Sequence, residues 1–191
     1  KGAIEEEEAG NASRLLSSLE QPIEGKLGEF DILMRLKGVV GSGILLGDQG
    51  DQLTRFDEKM IKEFRLRLIA LEESLSQKSQ QQRIKFLARY PSIEQASRNI
   101  TLAKENEDPV DKAIAWVKSK ELDLIVKSDT GQLSIVEVKN YGKVLDEADL
   151  IDEGGGKKSI LTQQLELKEI LQILGLEEKY ERAIIFRGGV T

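Results

Sequence analysis

The apolar positions of this chain follow two different periods. From Leu53 to Leu75 they recur every three or four residues, at Leu53, Phe56, Met60, Phe64, Leu68, Leu71 and Leu75, with Arg and Glu on the other faces. That spacing predicts one amphipathic helix over residues 51–77, roughly 40 Å long at about 1.5 Å per residue. The polar stretch SQKSQQQ then separates it from a second helix expected over residues 80–90, which either packs back on the first or continues it. Pro91 closes this region, and Ser92 with Gln95 makes a capping-box pattern that predicts a further helix. Upstream, Leu15, Leu16 and Leu19 predict a short helix over 11–19, and GEFDILMRLK predicts another over 28–37.

The later part of the chain carries shorter apolar runs. LDLIV and LSIVEV flank Ser128, Asp129, Thr130 and Gly131, the composition of a β-hairpin. The preceding AIAWV is readable in two ways. Its alternation suits a strand covering the open edge of LDLIV, which is the preferred reading, whereas Asp108 as cap and Pro109 as first helical residue suit a helix. After the hairpin, YGKVLDEADLIDEGGGKK reads as a polar loop, either a solvated linker or a clamp over a site. A helix follows from Ser159 to Leu174, with Leu161, Leu165, Leu167, Leu171 and Leu174 as its apolar members and Gly175 as its stop. AIIF then gives a last strand, so the order describes a mixed α/β layer.

Composition narrows the chemistry. Among 191 residues there is no cysteine and no histidine. Disulfides, zinc fingers, thiol nucleophiles and every histidine-based mechanism are thereby excluded, and any catalysis must use carboxylates, lysines, hydroxyls and a borrowed metal. The net charge of −6 argues against a non-specific nucleic-acid coat but leaves room for a local basic rim. The sequence has no run near the roughly 18 apolar residues of a membrane span, and a cytoplasmic protein is expected. The glycine-rich GVVGSGILLGDQGD lacks the GKS or GKT ending of a phosphate-binding loop; two short strands, VV and ILL, explain it better.

The charges that call for an explanation lie on the hairpin. Asp123 interrupts the first apolar run, and Glu137 and Lys139 occupy alternate positions of the second, hence one face of it. Burying charge costs several kcal/mol unless it is paired or metal-bound. Two carboxylates converging from adjacent strands make a hard oxygen site suited to Mg or Mn, and a lysine beside them can stabilise charge growing on a phosphate. The plain alternative is a cross-strand ion pair between Asp123 and Lys139.

These residues resemble the core of the PD-(D/E)XK nucleases, the restriction-endonuclease-like superfamily. There an aspartate at the start of a strand is followed by Glu-X-Lys on the next, then a helix and a strand, matched here by Asp123, Glu137-Val138-Lys139, Ser159–Leu174 and AIIF. Leu122 stands where a proline would precede the aspartate. The resemblance covers residues 91–191 and implies a mixed β-sheet core flanked by helices; residues 1–90 would form a mainly helical N-terminal region. It also implies a magnesium-dependent nuclease, endonuclease ahead of exonuclease and DNA ahead of RNA, with Asp123 and Glu137 as metal ligands and Lys139 as catalytic lysine. By the same resemblance, Gln164, or else Gln163, would assist from the later helix, where Lys168 shares the side of Gln164. An upstream glutamate, Glu94 or its rival Glu29, would join the metal. Lys127, Lys143, Lys157 and Lys158 are candidates for a basic rim on nucleic acid. The alternatives are a toxin-type nuclease with an inhibitory partner protein, or a non-catalytic assembly module with an inactive nuclease-like fold. The seam of the long helix either packs within the chain or pairs with a second copy as a homodimerisation arm.

Overall fold

The computed structural model describes residues 23–36, 39–45, 58–98, 108–139, 150–151 and 159–186. The helix expected over 11–19, and Lys143, Lys157 and Lys158, lie outside them, as does the loop expected after the hairpin except for residues 150–151, which are helical. In chain order the elements are α1 (residues 23–35), β1 (Val39–Leu45), α2 (Glu58–Ser76), α3 (Gln80–Leu87), α4 (Pro91–Ser97), α5 (Pro109–Ser119), β2 (Glu121–Lys127), β3 (Leu133–Lys139), α6 (Ile160–Ile173) and β4 (Tyr180–Phe186). The four strands form one mixed sheet in the order β1-β2-β3-β4. β1 and β3 run antiparallel to β2, and β4 runs parallel to β3, from which α6 separates it in the chain.

The hairpin forms where its composition predicts, with Gly131 at φ +87° taking the left-handed position in its turn. β1 differs from expectation: the glycine-rich segment makes one continuous strand, not two short ones, with an irregularity between Val39 and Gly41. It pairs along β2, so the sheet draws on segments from both sides of residue 90. AIAWV is helical, not a strand. Asp108 caps α5 by accepting from the Val110 N–H at 2.8 Å, and Pro109 opens it. The edge of β2 that this run was expected to cover is occupied by β1 instead.

α2, α5 and α6 supply most of the core. Met60, Phe64, Leu68 and Leu75 of α2 are buried together with Val110, Ile114 and Val117 of α5, Leu167, Ile170 and Leu171 of α6, and Ile125 and Ile135 of the sheet. The described part of the long helix's seam is therefore packed within the chain; Leu53 and Phe56 lie outside the described residues. α2 is further tied to the α6–β4 turn. Arg67 donates to the carbonyl oxygens of Leu174 and Gly175, both at 3.0 Å, Phe64 packs on Tyr180 with ring centroids 5.4 Å apart, and Glu63 pairs with Lys179.

Helix boundaries are fixed by caps. Ser79 and Gln82 form a reciprocal capping box at the start of α3, so α3 is a separate helix and not a continuation of α2. The box expected from Ser92 and Gln95 is absent. α4 has no side-chain cap of its own; the buried carboxylate of Glu169 on α6 accepts from the Ser92 and Ile93 N–H groups at 3.2 and 2.9 Å. Among the described residues no helix is long and apolar enough to cross a membrane.

Candidate metal and phosphate site

One face of the β2–β3 pair changes character along its length. Near the hairpin turn, Ile125 and Ile135 are partners across the strands and are both buried in the core. One step along the same face, the register that pairs Leu124 with Val136 sets Asp123 opposite Glu137. A further step brings Glu121 and Lys139 to the strand ends. The period-two geometry that buries the isoleucines thus also gathers the charges at one end of the sheet.

Each charge has a defined setting. One carboxylate oxygen of Asp123 accepts from the Val138 N–H at 2.8 Å, fixing the side chain across the strand pair. Burial, reinforced by the negative charge of Glu137 and more weakly of Glu29, raises its pKa to about 7, against the lowering pull of the Val138 hydrogen bond and Lys139. The Lys139 ammonium donates to Glu137 Oε1 at 2.8 Å and also to the side-chain oxygen of Gln163 on α6. The Glu137 and Lys139 side chains are 23% and 17% exposed, so the pair sits at the border between core and solvent.

α1 brings a third carboxylate. Glu29 has its pKa raised, chiefly by burial and in part by the charges of Glu121 and Glu137, with Lys26 acting in the opposite direction. Lys26 bridges Glu29 and Glu121 at 3.0 and 2.7 Å, tying α1 to the first residue of β2. The cluster therefore holds four carboxylates (Glu29, Glu121, Asp123, Glu137) against two ammonium groups (Lys26, Lys139), a surplus of two negative charges when all are ionised.

The site residues expected from the sequence divide accordingly. Asp123, Glu137 and Lys139 come together. Of the two glutamines it is Gln163 that meets Lys139; Gln164 accepts from Arg182 through its backbone carbonyl. Of the two upstream glutamates, Glu29 joins the cluster, whereas Glu94 forms an i,i+4 ion pair with Arg98 at 2.7 Å on α4. Lys127 is exposed at the hairpin end of β2, four residues and so about 13 Å along the strand from Asp123. Lys26 and Glu121 escape a sequence reading, although Glu121 shares the alternating face of Asp123 and Lys26 stands three residues before Glu29.

The donor set suits a hard divalent cation. Asp123 and Glu137 offer carboxylate oxygens from adjacent strands, and the surplus of two negative charges matches the charge of such an ion. Among the described residues no three acidic side chains stand close enough to hold a metal by themselves, so a cation here would take the rest of its shell from backbone carbonyls, water or a phosphate. No family model, no curated protein and no solved structure matches the chain.

Proposed function

We propose that this protein is a metal-dependent nuclease hydrolysing phosphodiester bonds, of DNA in preference to RNA, with Mg or Mn as its cofactor. The observation that carries the reading is the convergence of Asp123, Glu137 and Lys139 at one end of an antiparallel strand pair, with an amide from α6 on the lysine. Asp123 and Glu137 would hold the cation. When bound, it would polarise the scissile phosphate and acidify a water molecule.

The chain's own groups do the remainder. Val138 N–H holds Asp123 in place, so its carboxylate need not reorganise when a charged ligand enters. Lys139 is kept at the cluster by Glu137 and Gln163, where its N–H bonds can turn to a non-bridging phosphate oxygen or orient the attacking water. Gln163 can only accept from Lys139 through its oxygen, so its role is to aim the ammonium. With neither cysteine nor histidine in the chain, this reading takes a metal-activated water molecule as the nucleophile.

The test is divalent-dependent cleavage of plasmid, single-stranded DNA and RNA by the wild type and by Lys139→Ala. Cleavage by the wild type with a loss of about 10²–10⁴-fold in the variant is expected. If no substrate is cut with Mg or Mn and no divalent ion binds, the nuclease reading is wrong. The competing reading is a non-catalytic module with a nuclease-like sheet. It draws on the fact that Lys139 already has two acceptors and so can serve as a structural ion pair. In that case Lys139→Ala changes stability and nothing else.

A further inference from the structure

α1 carries more apolar surface than its packing on its own domain covers. The side turned to the protein carries Gly28, which is buried, the half-buried Ile32 and Leu33, and Glu29, whose side chain is 14% exposed and stands at the carboxylate cluster. The side turned outward carries Ile23, Leu27, Phe30 and Met34, which are 57%, 58%, 58% and 70% exposed. Surface helices ordinarily bury the apolar stripe and expose the polar one. Here the spacing of the exposed stripe, four, three and four residues, is that of a coiled-coil seam, with Leu27 and Met34 at a positions and Ile23 and Phe30 at d positions.

We propose that this stripe is a dimer seam, and that it pairs in parallel with α1 of a second copy of the chain. The flanking charges choose both the partner and the direction. With the seam set as above, Lys26 occupies a g position and Asp31 the following e position, the pair that meets across a parallel two-stranded coiled coil. In an antiparallel pair, e would face e, and both e positions of α1, Glu24 and Asp31, are acidic. Lys26 side chains are 58% exposed and Asp31 side chains 30%, so each can share a cross-helix partner with its own Glu121 or Arg35 contact.

The size of the seam sets the strength. Four large apolar side chains exposed by more than half offer on the order of 500 Å² per copy, so a pair buries about 1,000 Å², the lower bound for a specific interface. An interface at that lower bound makes a weak, reversible dimer, to be sought between about 1 μM and a few hundred μM. This inference is independent of the nuclease reading, except that α1 also carries Glu29, so each helix of the pair borders a carboxylate cluster.

Sedimentation velocity of the full chain over that concentration range tests the association, and thiol cross-linking tests its direction. Because the chain has no cysteine, Ile23→Cys and Met34→Cys each introduce a single thiol. In a parallel pair each variant oxidises to a disulfide-linked homodimer, and a mixture of the two gives no mixed dimer. Phe30→Lys, a change at an exposed position, leaves the circular dichroism unchanged and shifts the protein to monomer. A wild type that stays monomeric throughout overturns the proposal, as does mixed Ile23→Cys/Met34→Cys cross-linking in place of the homodimers, or a dimer that survives Phe30→Lys.

Discussion

At the scale of single residues, Asp123 is the group whose setting has the clearest thermodynamic consequence. Its carboxyl has an ordinary pKa near 3.8 and is raised to about 7 in the fold, first by burial and then by Glu137. The native state therefore keeps a proton that the unfolded chain releases between those two values, and stability contributed by this group falls as pH rises through that window. Below it both states are protonated and the effect vanishes; above it the full cost of the buried charge applies. Asp123→Asn keeps an acceptor for the Val138 N–H and cannot ionise. In metal-free protein it is expected to gain on the order of 1–3 kcal/mol at pH 8 and little at pH 4.5, read from urea denaturation of both proteins in chelator. An equal gain at the two pH values would mean that ionisation of Asp123 is not its source. These hairpin residues were legible in the sequence because alternation along a strand fixes which side chains share a face. The glutamine was less so. Of the apolar members read from sequence, Leu167, Leu171 and Leu174 are buried, but Leu161 and Leu165 are exposed and Ile160 and Ile170 take their place in the core. On a helix of 3.6 residues per turn, that change of phase turns Gln163 in place of Gln164 toward the sheet.

At the scale of elements, boundaries that depend on a distant partner are the ones a sequence hides. Ser79 with Gln82 and Ser92 with Gln95 present the same capping pattern, yet only the first forms. At α4 the Ser92 and Ile93 N–H groups are taken by Glu169, a carboxylate more than seventy residues away in the chain that also helps to pin α4 against α6. Glu169→Ala leaves both donors without that acceptor, and a loss of about 1–3 kcal/mol is expected in chemical denaturation. Ser92→Ala, which removes no cap, should change stability by less than about 0.5 kcal/mol. If the two variants lose equally, the local pattern matters more than the long-range contact. AIAWV is the same lesson from the other side. Its alternation satisfied a strand, but the need for a strand beside LDLIV was already met by β1, and Val110, Ala113, Ile114 and Val117 sit at helical spacing against the core.

At the scale of the whole molecule, the sheet joins parts of the chain that no local pattern connects. Among the described residues four helices lie between β1 and its partner β2, and Glu29 reaches Asp123 and Glu137 only because α1 docks on β2 through Lys26 and Glu121. The choice between Glu29 and Glu94 could not be made from sequence for that reason, since it depends on which helix lies over the carboxylate end of the sheet. A cation held by the cluster as proposed would be a measurable component of stability. A ligand that binds only the folded state at about ten times its dissociation constant adds roughly 1.4 kcal/mol, which for a chain of this size raises Tm by about 3–5 °C. Mg or Mn is expected to produce such a rise in the wild type and none in Glu137→Gln. Glu94→Gln should retain it in full, because Glu94 is paired with Arg98 away from the cluster. Glu29→Gln should retain part of it, because Glu29 adds charge to the cluster from a helix that contributes no strand to the pair holding Asp123 and Glu137. A shift that survives Glu137→Gln would locate the cation elsewhere, and a shift lost in Glu94→Gln would restore α4 as the helix that completes the site.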